Sequence, residues 1–189
     1  SDIGNNCAIG NAYPTFEETR KYLAPGLFGP CGYGLPSVVG AKIGRPDVPV
    51  VGFSGDGAFG IAVNELTAIG REEWPAVTQI VFRNYQWGAE KRNSTLWYDD
   101  NFVGTELDTQ VSYAGIAKAC GLQGVIAKTM DELTEALHTA IKDQMENGKT
   151  TLIEAMINQE LGEPFRRDAM KKPVAVAGVS ASDMREQVV

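Results

Sequence analysis

Two oxygen-bearing side chains, Asp56 and Asn84, each follow directly on a run of apolar residues. Asp56 stands between Gly55 and Gly57 just after the run 48–53, and Asn84 comes just after a second such run. A short continuous apolar run bounded by turn residues is typical of a buried strand. Carboxylate and amide oxygens are ligands that Mg²⁺ prefers, and the flanking glycines leave room for phosphate oxygens near the backbone. These residue types indicate a magnesium-bound diphosphate site.

The spacing of the two side chains predicts that they converge. Between Gly57 and Asn84 lie 26 residues, which is enough for one crossover helix and one parallel strand. The second apolar run, 76–82, supplies that strand, and apolar residues at helical spacing precede it. Ligands of an open parallel sheet bind at the carboxyl ends of its strands. The N-termini of the following helices point their free amides toward the same place.

The order of the remaining elements predicts the fold class. Helices are expected over 36–43, 113–120 and 131–147, and strands over 124–127 and 151–157. The apolar runs are too continuous for strands with one face in water and are typical of a parallel sheet covered on both sides. We therefore predict an α/β fold with a doubly wound, mostly parallel sheet and helices on both faces. The polar and aromatic stretch 84–101 is predicted to be a loop beside the site.

Length and composition suit one domain of ordinary size. The chain has 189 residues, 43% of them hydrophobic, and its formal net charge of −7 argues against a nucleic-acid surface. No window approaches the length of a membrane span, about 18 to 20 apolar residues, and no signal peptide is recognisable. A cytoplasmic protein without a nucleic-acid or membrane partner is expected. The helix and strand pattern predicts a domain over 1–160 and a C-terminal tail over 161–189. Because the chain opens at Ser1 without an initiating methionine, it is expected to be part of a longer enzyme.

The cysteines and the single histidine argue against several other chemistries. Cys7, Cys31 and Cys120 are too few and too widely spaced for a zinc site or a disulfide framework, and buried free thiols are expected. His138 lies off the apolar stripe of its predicted helix and is expected to be solvated. Ser-His-Asp, Cys-His and histidine-metal sites therefore lack their central residue.

A G-D-G triplet followed at this interval by an asparagine is the signature of the thiamine-diphosphate (ThDP) enzymes, and the chain resembles their diphosphate-binding domain. The resemblance implies that Mg²⁺ is bound by the side chains of Asp56 and Asn84 and by the backbone carbonyl of Gln86. The residues that would line the diphosphate are Gly55, Gly57, Ala58 and Gly88. Many members have two asparagines in succession, whereas Arg83 and Tyr85 flank a single asparagine here.

The glycine-dense segment 29–36 resembles the part of acetolactate-synthase-like enzymes that meets the middle of the cofactor. The resemblance implies that the carbonyl of Gly29 accepts a hydrogen bond from the cofactor's 4′-amino group and that Cys31 lies between its two rings. That position usually holds a larger aliphatic residue. Either Cys31 is assisted by Tyr33 or Leu35, or the pocket is wider.

Within the superfamily, the chain resembles the sulfoacetaldehyde acetyltransferases over about residues 28–178. The stretches that carry this likeness are 29–36, 82–92, 101–107 and 158–173. The resemblance implies a reaction in which sulfoacetaldehyde and phosphate give acetyl phosphate and sulfite. Two anions must then be held, and the candidate residues are Lys91, Arg92, Arg166 and Arg167. The aromatic residues that could wall the pocket are Trp87, Trp97 and Tyr98.

ThDP enzymes activate their cofactor with a glutamate on a separate pyrimidine-binding domain, usually from a neighbouring subunit. No segment here resembles that domain, and Glu65, Glu72 and Glu73 are expected to be solvated. The resemblance therefore implies no catalytic residue in this chain, a pyrimidine-binding domain as its partner, and a homo-oligomer. Two alternatives stay open: another ThDP carboligase or decarboxylase of the acetolactate-synthase type, or a non-catalytic ThDP-binding subunit that needs a partner.

Overall fold

The computed structural model of the chain describes residues 1–160. Its strands are β1 (Val51–Gly55), β2 (Thr78–Arg83), β3 (Gln123–Ala127) and β4 (Thr151–Met156). Its α-helices are α1 (Asn5–Ala12), α2 (Gly34–Gly44), α3 (Asp56–Ile61), α4 (Leu66–Ile69), α5 (Gly88–Trp97), α6 (Tyr113–Ala119) and α7 (Met130–Glu146). The strands form one parallel sheet in the order β1-β2-β4-β3. In this order β2 is paired with both β1 and β4. The carboxyl ends of these three strands therefore lie side by side, where the site is predicted.

Helices cover both faces of the sheet. On one face, Val81 and Leu152 pack with Phe59 and with residues of α2, α3, α4 and α6 in a buried apolar cluster. On the other face, Ile80 and Ile153 pack against α7. The α/β fold class, with a doubly wound parallel sheet, is therefore confirmed. Among residues 1–160, none of the helices combines the length and the apolarity that a bilayer crossing demands.

The predicted loop over 84–101 was wrong for most of its length, because α5 occupies Gly88–Trp97. None of the residues of α5 is buried, so the helix has no apolar stripe from which its period could be recognised. The first helix, α1, was not predicted either. The helix expected after the G-D-G triplet is divided into α3, a 3₁₀ turn over Val63–Glu65, and α4.

Candidate functional site

A cavity of about 1200 Å³ lies at the edge where the strands β1, β2 and β4 end. Residues of α1 and the first residues of α3 and α5 complete its wall. The structure brings every predicted site residue to this cavity: Gly29, Cys31, Gly55, Asp56, Gly57, Ala58, Asn84, Gln86 and Gly88. The binding role of each residue stays a prediction.

The two carboxylate oxygens of Asp56 have different surroundings. Its Oδ2 accepts three hydrogen bonds, from Nη1 of Arg83 at 3.2 Å and from the backbone N–H groups of Asn84 at 3.1 Å and Tyr85 at 2.7 Å. Among residues 1–160, its Oδ1 accepts a single hydrogen bond, from the N–H of Gly57 at 3.0 Å. Burial raises the pKa of Asp56 above the usual aspartate value, and the same donors oppose that rise. Oδ1 is therefore the oxygen with capacity for a further ligand.

Three oxygens meet beside Asp56. The side-chain oxygen of Asn84 lies 3.1 Å from the backbone oxygen of Gln86 and 3.3 Å from Oδ1 of Asp56, and it accepts the N–H of Gln86 at 3.3 Å. A half-turn of the Asn84 amide would place its NH₂ group there and form two hydrogen bonds. Alternatively, a cation bound between the three oxygens would remove the electrostatic repulsion between them. Their spacing suits Mg²⁺, because six octahedral ligands at about 2.1 Å from the metal lie about 3 Å from one another.

The donor set fits a magnesium ion that shares its coordination with phosphates. Within the described residues, no group of three or more His, Cys, Asp or Glu side chains could hold a metal ion. The cluster therefore offers one charged oxygen, from Asp56, and two neutral ones. Mg²⁺ takes six ligands and is commonly bound by one or two carboxylates together with substrate phosphates and water. The buried Oε1 of Gln86 also lacks a hydrogen-bond partner among residues 1–160, as expected of a site that a polar ligand completes.

A tight turn directs the Asn84 side chain and the Gln86 carbonyl toward the same point. Between them, Tyr85 has a φ of 61°, a left-handed conformation that costs a non-glycine residue about 1–2 kcal/mol. The turn is tied to its surroundings on both sides, because the N–H of Leu107 donates to the carbonyl of Tyr85 at 2.8 Å and the Gln159 side chain donates to the carbonyl of Asn84 at 3.0 Å. The tertiary contacts thus hold a conformation that the local sequence disfavours.

Asp2 anchors the glycine-dense segment and was not among the predicted site residues. Its side chain is fully buried, and its carboxylate accepts from the N–H groups of Gly32 at 3.2 Å and Gly34 at 2.9 Å. Its own N–H donates to the carbonyl of Phe53 in β1 at 3.0 Å. Asp2 therefore fixes the segment that carries Gly29 and Cys31 to the strand that leads to Asp56.

Asn6, on α1, links the N-terminal segment to the G-D-G triplet. Its Oδ1 accepts from the N–H of Gly55 at 3.2 Å, while its Nδ2 donates to the carbonyl of Asp2 at 2.9 Å. Sequence reasoning missed this residue as well. The signal that was available is the Asp-Ile-Gly-Asn sequence at 2–5, because Asp, Gly and Asn are typical of turns and helix starts.

Of the three residues considered for the position between the cofactor rings, only Cys31 lines the cavity. Leu35 is 1% exposed and belongs to the apolar core, and the choice between assistance by Tyr33 or Leu35 and a wider pocket stays open. Cys31 itself is exposed, which corrects the expectation that all three cysteines are buried; Cys120 is half-buried and Cys7 is buried. Burial, with Asp2 and Glu90 nearby, raises the pKa of the Cys31 thiol.

The candidate anion-binding residues lie in different environments. Arg92 lines the cavity, whereas Lys91 forms an ion pair of 2.5 Å with Glu106 and lies 5.1 Å from the ring of Phe102. Arg166 and Arg167 lie outside the described residues.

Among the candidate aromatic residues, Trp87 lines the cavity and Trp97 and Tyr98 do not. Trp87 packs closely on the G-D-G triplet, because a Cβ atom at Gly57 would lie 2.6 Å from its ring. Glycine is therefore required at position 57 by its neighbour as well as by the room that a phosphate would need. His138 is exposed, as predicted.

Comparison with known proteins identifies the family. Residues 2–155 match the family described as thiamine pyrophosphate enzyme, C-terminal TPP binding domain. The chain is similar to the sulfoacetaldehyde acetyltransferase of Roseovarius nubinhibens, at 87% identity over 100% of this chain and 31% of that protein. It is also similar to the sulfoacetaldehyde acetyltransferase of Rhodobacter capsulatus, at 79% identity over 99% of this chain and 32% of that protein.

A solved structure supports the same relationship. The thiamine diphosphate-dependent 4-hydroxybenzoylformate decarboxylase from Rhodococcus jostii matches with a TM-score of 0.62 and 26% identity, over 75% of this chain and 25% of that chain.

The chain spans about a third of the length of the two sulfoacetaldehyde acetyltransferases that it matches. It belongs to the C-terminal thiamine pyrophosphate-binding domains of the thiamine pyrophosphate (ThDP) enzymes.

Proposed function

We propose that this chain is the diphosphate-binding half of the active site of a ThDP- and Mg²⁺-dependent sulfoacetaldehyde acetyltransferase. The reaction would convert sulfoacetaldehyde and phosphate into acetyl phosphate and sulfite. The observation that supports the cofactor site is the convergence of the Asp56 carboxylate, the Asn84 side-chain amide and the Gln86 carbonyl on one point. The support for the substrates is the name of the relatives at 87% and 79% identity.

In this proposal, Mg²⁺ is held by Oδ1 of Asp56, the side-chain oxygen of Asn84 and the backbone oxygen of Gln86. The residues that would hold the diphosphate are at two glycine-containing helix starts, Gly55–Ala58 and Gly88. Backbone N–H groups at a helix start have no partner within the helix and carry a partial positive charge. The starts of α3 and α5 both line the cavity, so they can provide these donors to the phosphate oxygens.

When bound, ThDP supplies the carbanion chemistry, while the protein binds and orients the reactants. The carbonyl of Gly29 would accept from the 4′-amino group, and Cys31 would lie between the rings. The chain provides no catalytic residue in this proposal. The activating glutamate would belong to a pyrimidine-binding domain of a neighbouring subunit in a cytoplasmic homo-oligomer.

Arg92 is the residue that we propose for one of the two substrate anions. It lines the cavity, and a guanidinium grips sulfonate or phosphate oxygens in a two-pronged geometry that an ammonium group does not match. Lys91, the neighbouring candidate, does not line the cavity.

Calorimetric titration of ThDP with and without Mg²⁺ tests the cofactor site. The protein to use is the assembled protein, meaning this chain together with its pyrimidine-binding domain. We expect ThDP binding to require Mg²⁺ and to weaken in Asp56→Ala by more than about tenfold, the lower figure for changes around metal ligands. Asp47→Ala, which removes an exposed aspartate paired with Arg45, is the matched control. ThDP binding that does not depend on Asp56 would contradict the site.

The substrate part has its own test in the same assembled protein. Acetyl phosphate formed from sulfoacetaldehyde is expected to require added phosphate and to be accompanied by sulfite. Intact ThDP binding without this activity would overturn the substrate assignment. Release of CO₂ from a 2-oxo acid would instead favour a decarboxylase or carboligase of the acetolactate-synthase type.

A further inference from the structure

We propose that Arg83 is a positioning residue for the metal site: it holds Asp56 so that only Oδ1 faces the metal, and Glu154 holds Arg83 in turn. This inference rests on the proposed function, in which Asp56 is a metal ligand. It adds two residues, on β2 and β4, that were not among the predicted site residues.

The contacts of Arg83 join the ends of three neighbouring strands. Arg83 is the last residue of β2 and is 1% exposed. Its Nη1 donates to Oδ2 of Asp56, which directly follows β1, and its Nε lies 3.5 Å from Oε1 of Glu154 in β4. The guanidinium therefore stands between two buried carboxylates.

The hydrogen bonds to Oδ2 determine which oxygen of Asp56 is presented to a metal. Arg83 and the two N–H groups that follow it occupy Oδ2 with three donors, whereas Oδ1 has one. An oxygen that accepts three hydrogen bonds has no free position for a cation. Without Arg83, Oδ2 would lose the charged donor that it has within the described part of the chain, and the carboxylate would be freer to turn both oxygens toward the metal. Ligand-orienting partners of this kind tune metal affinity.

The remaining groups of Arg83 are fixed as well. Its Nη2 donates to the carbonyls of Asp108 at 2.6 Å and Val111 at 3.0 Å. Its guanidinium carbon lies 4.2 Å from the ring centre of Tyr85 and 5.0 Å from that of Tyr113. A planar group with several donors and two stacking faces is required here, so lysine is a poor replacement.

Glu154 is held independently of Arg83. It is 2% exposed, and its Oε2 accepts from the hydroxyl of Ser112 at 2.9 Å and from the N–H of Ala114 at 3.1 Å, at the start of α6. The Nε of Arg83 has no hydrogen-bond partner among residues 1–160, so the 3.5 Å contact acts chiefly through charge.

The charges of this group favour a cation. Two buried carboxylates, from Asp56 and Glu154, face one guanidinium, which leaves one negative charge uncompensated within the three residues. A buried charge without a partner is costly. A divalent cation at Oδ1 of Asp56 would compensate that charge and leave one positive charge to meet a diphosphate.

The test uses Mn²⁺ as a spectroscopic probe of the site, with its dissociation constant measured by electron paramagnetic resonance in the assembled protein with ThDP. Arg83→Met is expected to weaken Mn²⁺ binding by about 10- to 100-fold, the range for residues that orient metal ligands, although the loss of the guanidinium makes the group more negative and by charge alone would strengthen cation binding. Arg71→Met, which removes an exposed arginine paired with Glu73, should leave the affinity unchanged. A folded Arg83→Met protein with wild-type Mn²⁺ affinity overturns the proposal.

A second variant keeps the test valid if Arg83→Met does not fold. Arg83→Met with Glu154→Leu removes both buried partners, and such apolar replacement of an ion pair is often neutral for stability. Because Glu154→Leu also leaves the N–H of Ala114 without its acceptor, thermal unfolding should occur at a lower temperature than in the wild type but remain cooperative. In this folded protein, Mn²⁺ binding at a temperature well below unfolding should still be weakened, whereas a purely structural role predicts wild-type affinity there. If neither protein folds, Arg83→Lys decides: it should bind Mn²⁺ at least about tenfold more weakly, and wild-type affinity contradicts the proposal.

Measurements on the wild-type protein distinguish failure of the proposed metal site from failure of the positioning role of Arg83. If it binds ThDP without any divalent cation, the proposed metal site fails and this inference fails with it. If wild-type binding requires the cation and Asp56 but is insensitive to Arg83, only the positioning role is overturned.

Discussion

The side-chain amide of Asn84 faces Oδ1 of Asp56 at 3.3 Å across the ends of two neighbouring parallel strands. The two residues come from different β-α connections, and each stands where its strand gives way to the next segment. Because β1 and β2 are paired in parallel, their carboxyl ends lie side by side. This proximity is the basis of the metal site that we propose.

Replacement of Asn84 tests the amide as a ligand. Asn84→Leu keeps the approximate size and removes the oxygen, so Mg²⁺-dependent ThDP binding should weaken by more than about tenfold in calorimetry. Asn84→Asp retains an oxygen ligand and should lose less affinity. Asn93→Leu, on the exposed side of α5, is the control. Wild-type binding in Asn84→Leu would exclude the amide from the site.

Addition of one methyl group at Gly57 should disturb the diphosphate position. The new Cβ would lie 2.6 Å from the Trp87 ring, and overpacking of this kind costs about 1–3 kcal/mol of stability. We expect Gly57→Ala to lower both the free energy of unfolding and the affinity for ThDP. Gly40→Ala in α2 meets nothing within 4 Å and should stabilise the protein by about 0.5–1 kcal/mol. Equal behaviour of the two variants would show that close packing at Gly57 is unimportant.

Removal of the Asp2 carboxylate should loosen the glycine-dense segment. Asp2→Ala leaves the N–H groups of Gly32 and Gly34 without their acceptor, and a buried unsatisfied group costs about 1–3 kcal/mol. Hydrogen exchange at these two amides should accelerate, and ThDP should bind more weakly. Asp2→Asn retains one acceptor oxygen and should have a smaller effect. Unchanged exchange in Asp2→Ala would refute the anchoring role.

Arg92 and Lys91 should differ in their effect on substrate binding. Arg92→Gln removes a charge from the cavity wall, and hydrogen bonds to charged groups contribute about 1.5–3 kcal/mol. The KM for phosphate or for sulfoacetaldehyde should therefore rise about tenfold or more, with ThDP affinity unchanged. Lys91→Gln, which breaks a pair with the exposed Glu106, should change either KM little. Equal effects of the two variants would remove the reason for preferring Arg92.

The Cys31 thiol should react slowly at neutral pH despite its exposure. Partial burial, followed by the negative charges of Asp2 and Glu90, raises the pKa of the thiol above the ordinary cysteine value. A raised pKa keeps the thiol protonated, so alkylation should increase only at a pH above the ordinary cysteine midpoint. Site-resolved mass spectrometry after iodoacetamide treatment measures this profile, with a peptide of residues 29–34 as control. An alkylation midpoint at a lower pH than that of the peptide would contradict the raised pKa of the Cys31 thiol. Saturating ThDP should also slow the alkylation of Cys31.

Local patterns were sufficient to predict the sheet and the two metal-ligand candidates. Apolar runs marked β1 and β2 because a strand buried on both faces excludes polar side chains. The interval between Gly57 and Asn84 then restricted the connection to one that makes these strands parallel neighbours. The predicted strand bounds were off by one to three residues, since 48–53 and 76–82 correspond to Val51–Gly55 and Thr78–Arg83.

The elements that the sequence did not reveal are those whose partners are distant along the chain. The helix α5 has no buried face, so it leaves no periodic apolar signal. Asp2 and Asn6 contact the site only because α1 lies beside β1.

By itself, therefore, the sequence determined a parallel α/β sheet with Asp56 and Asn84 at one of its edges. Only the tertiary structure decided that Arg83 stands between Asp56 and Glu154, because that contact requires β4 to lie beside β2. Strand order depends on how the helices pack across the whole sheet, and no local pattern of residues encodes it. The same packing holds Tyr85 in its left-handed turn and so brings the three oxygens together.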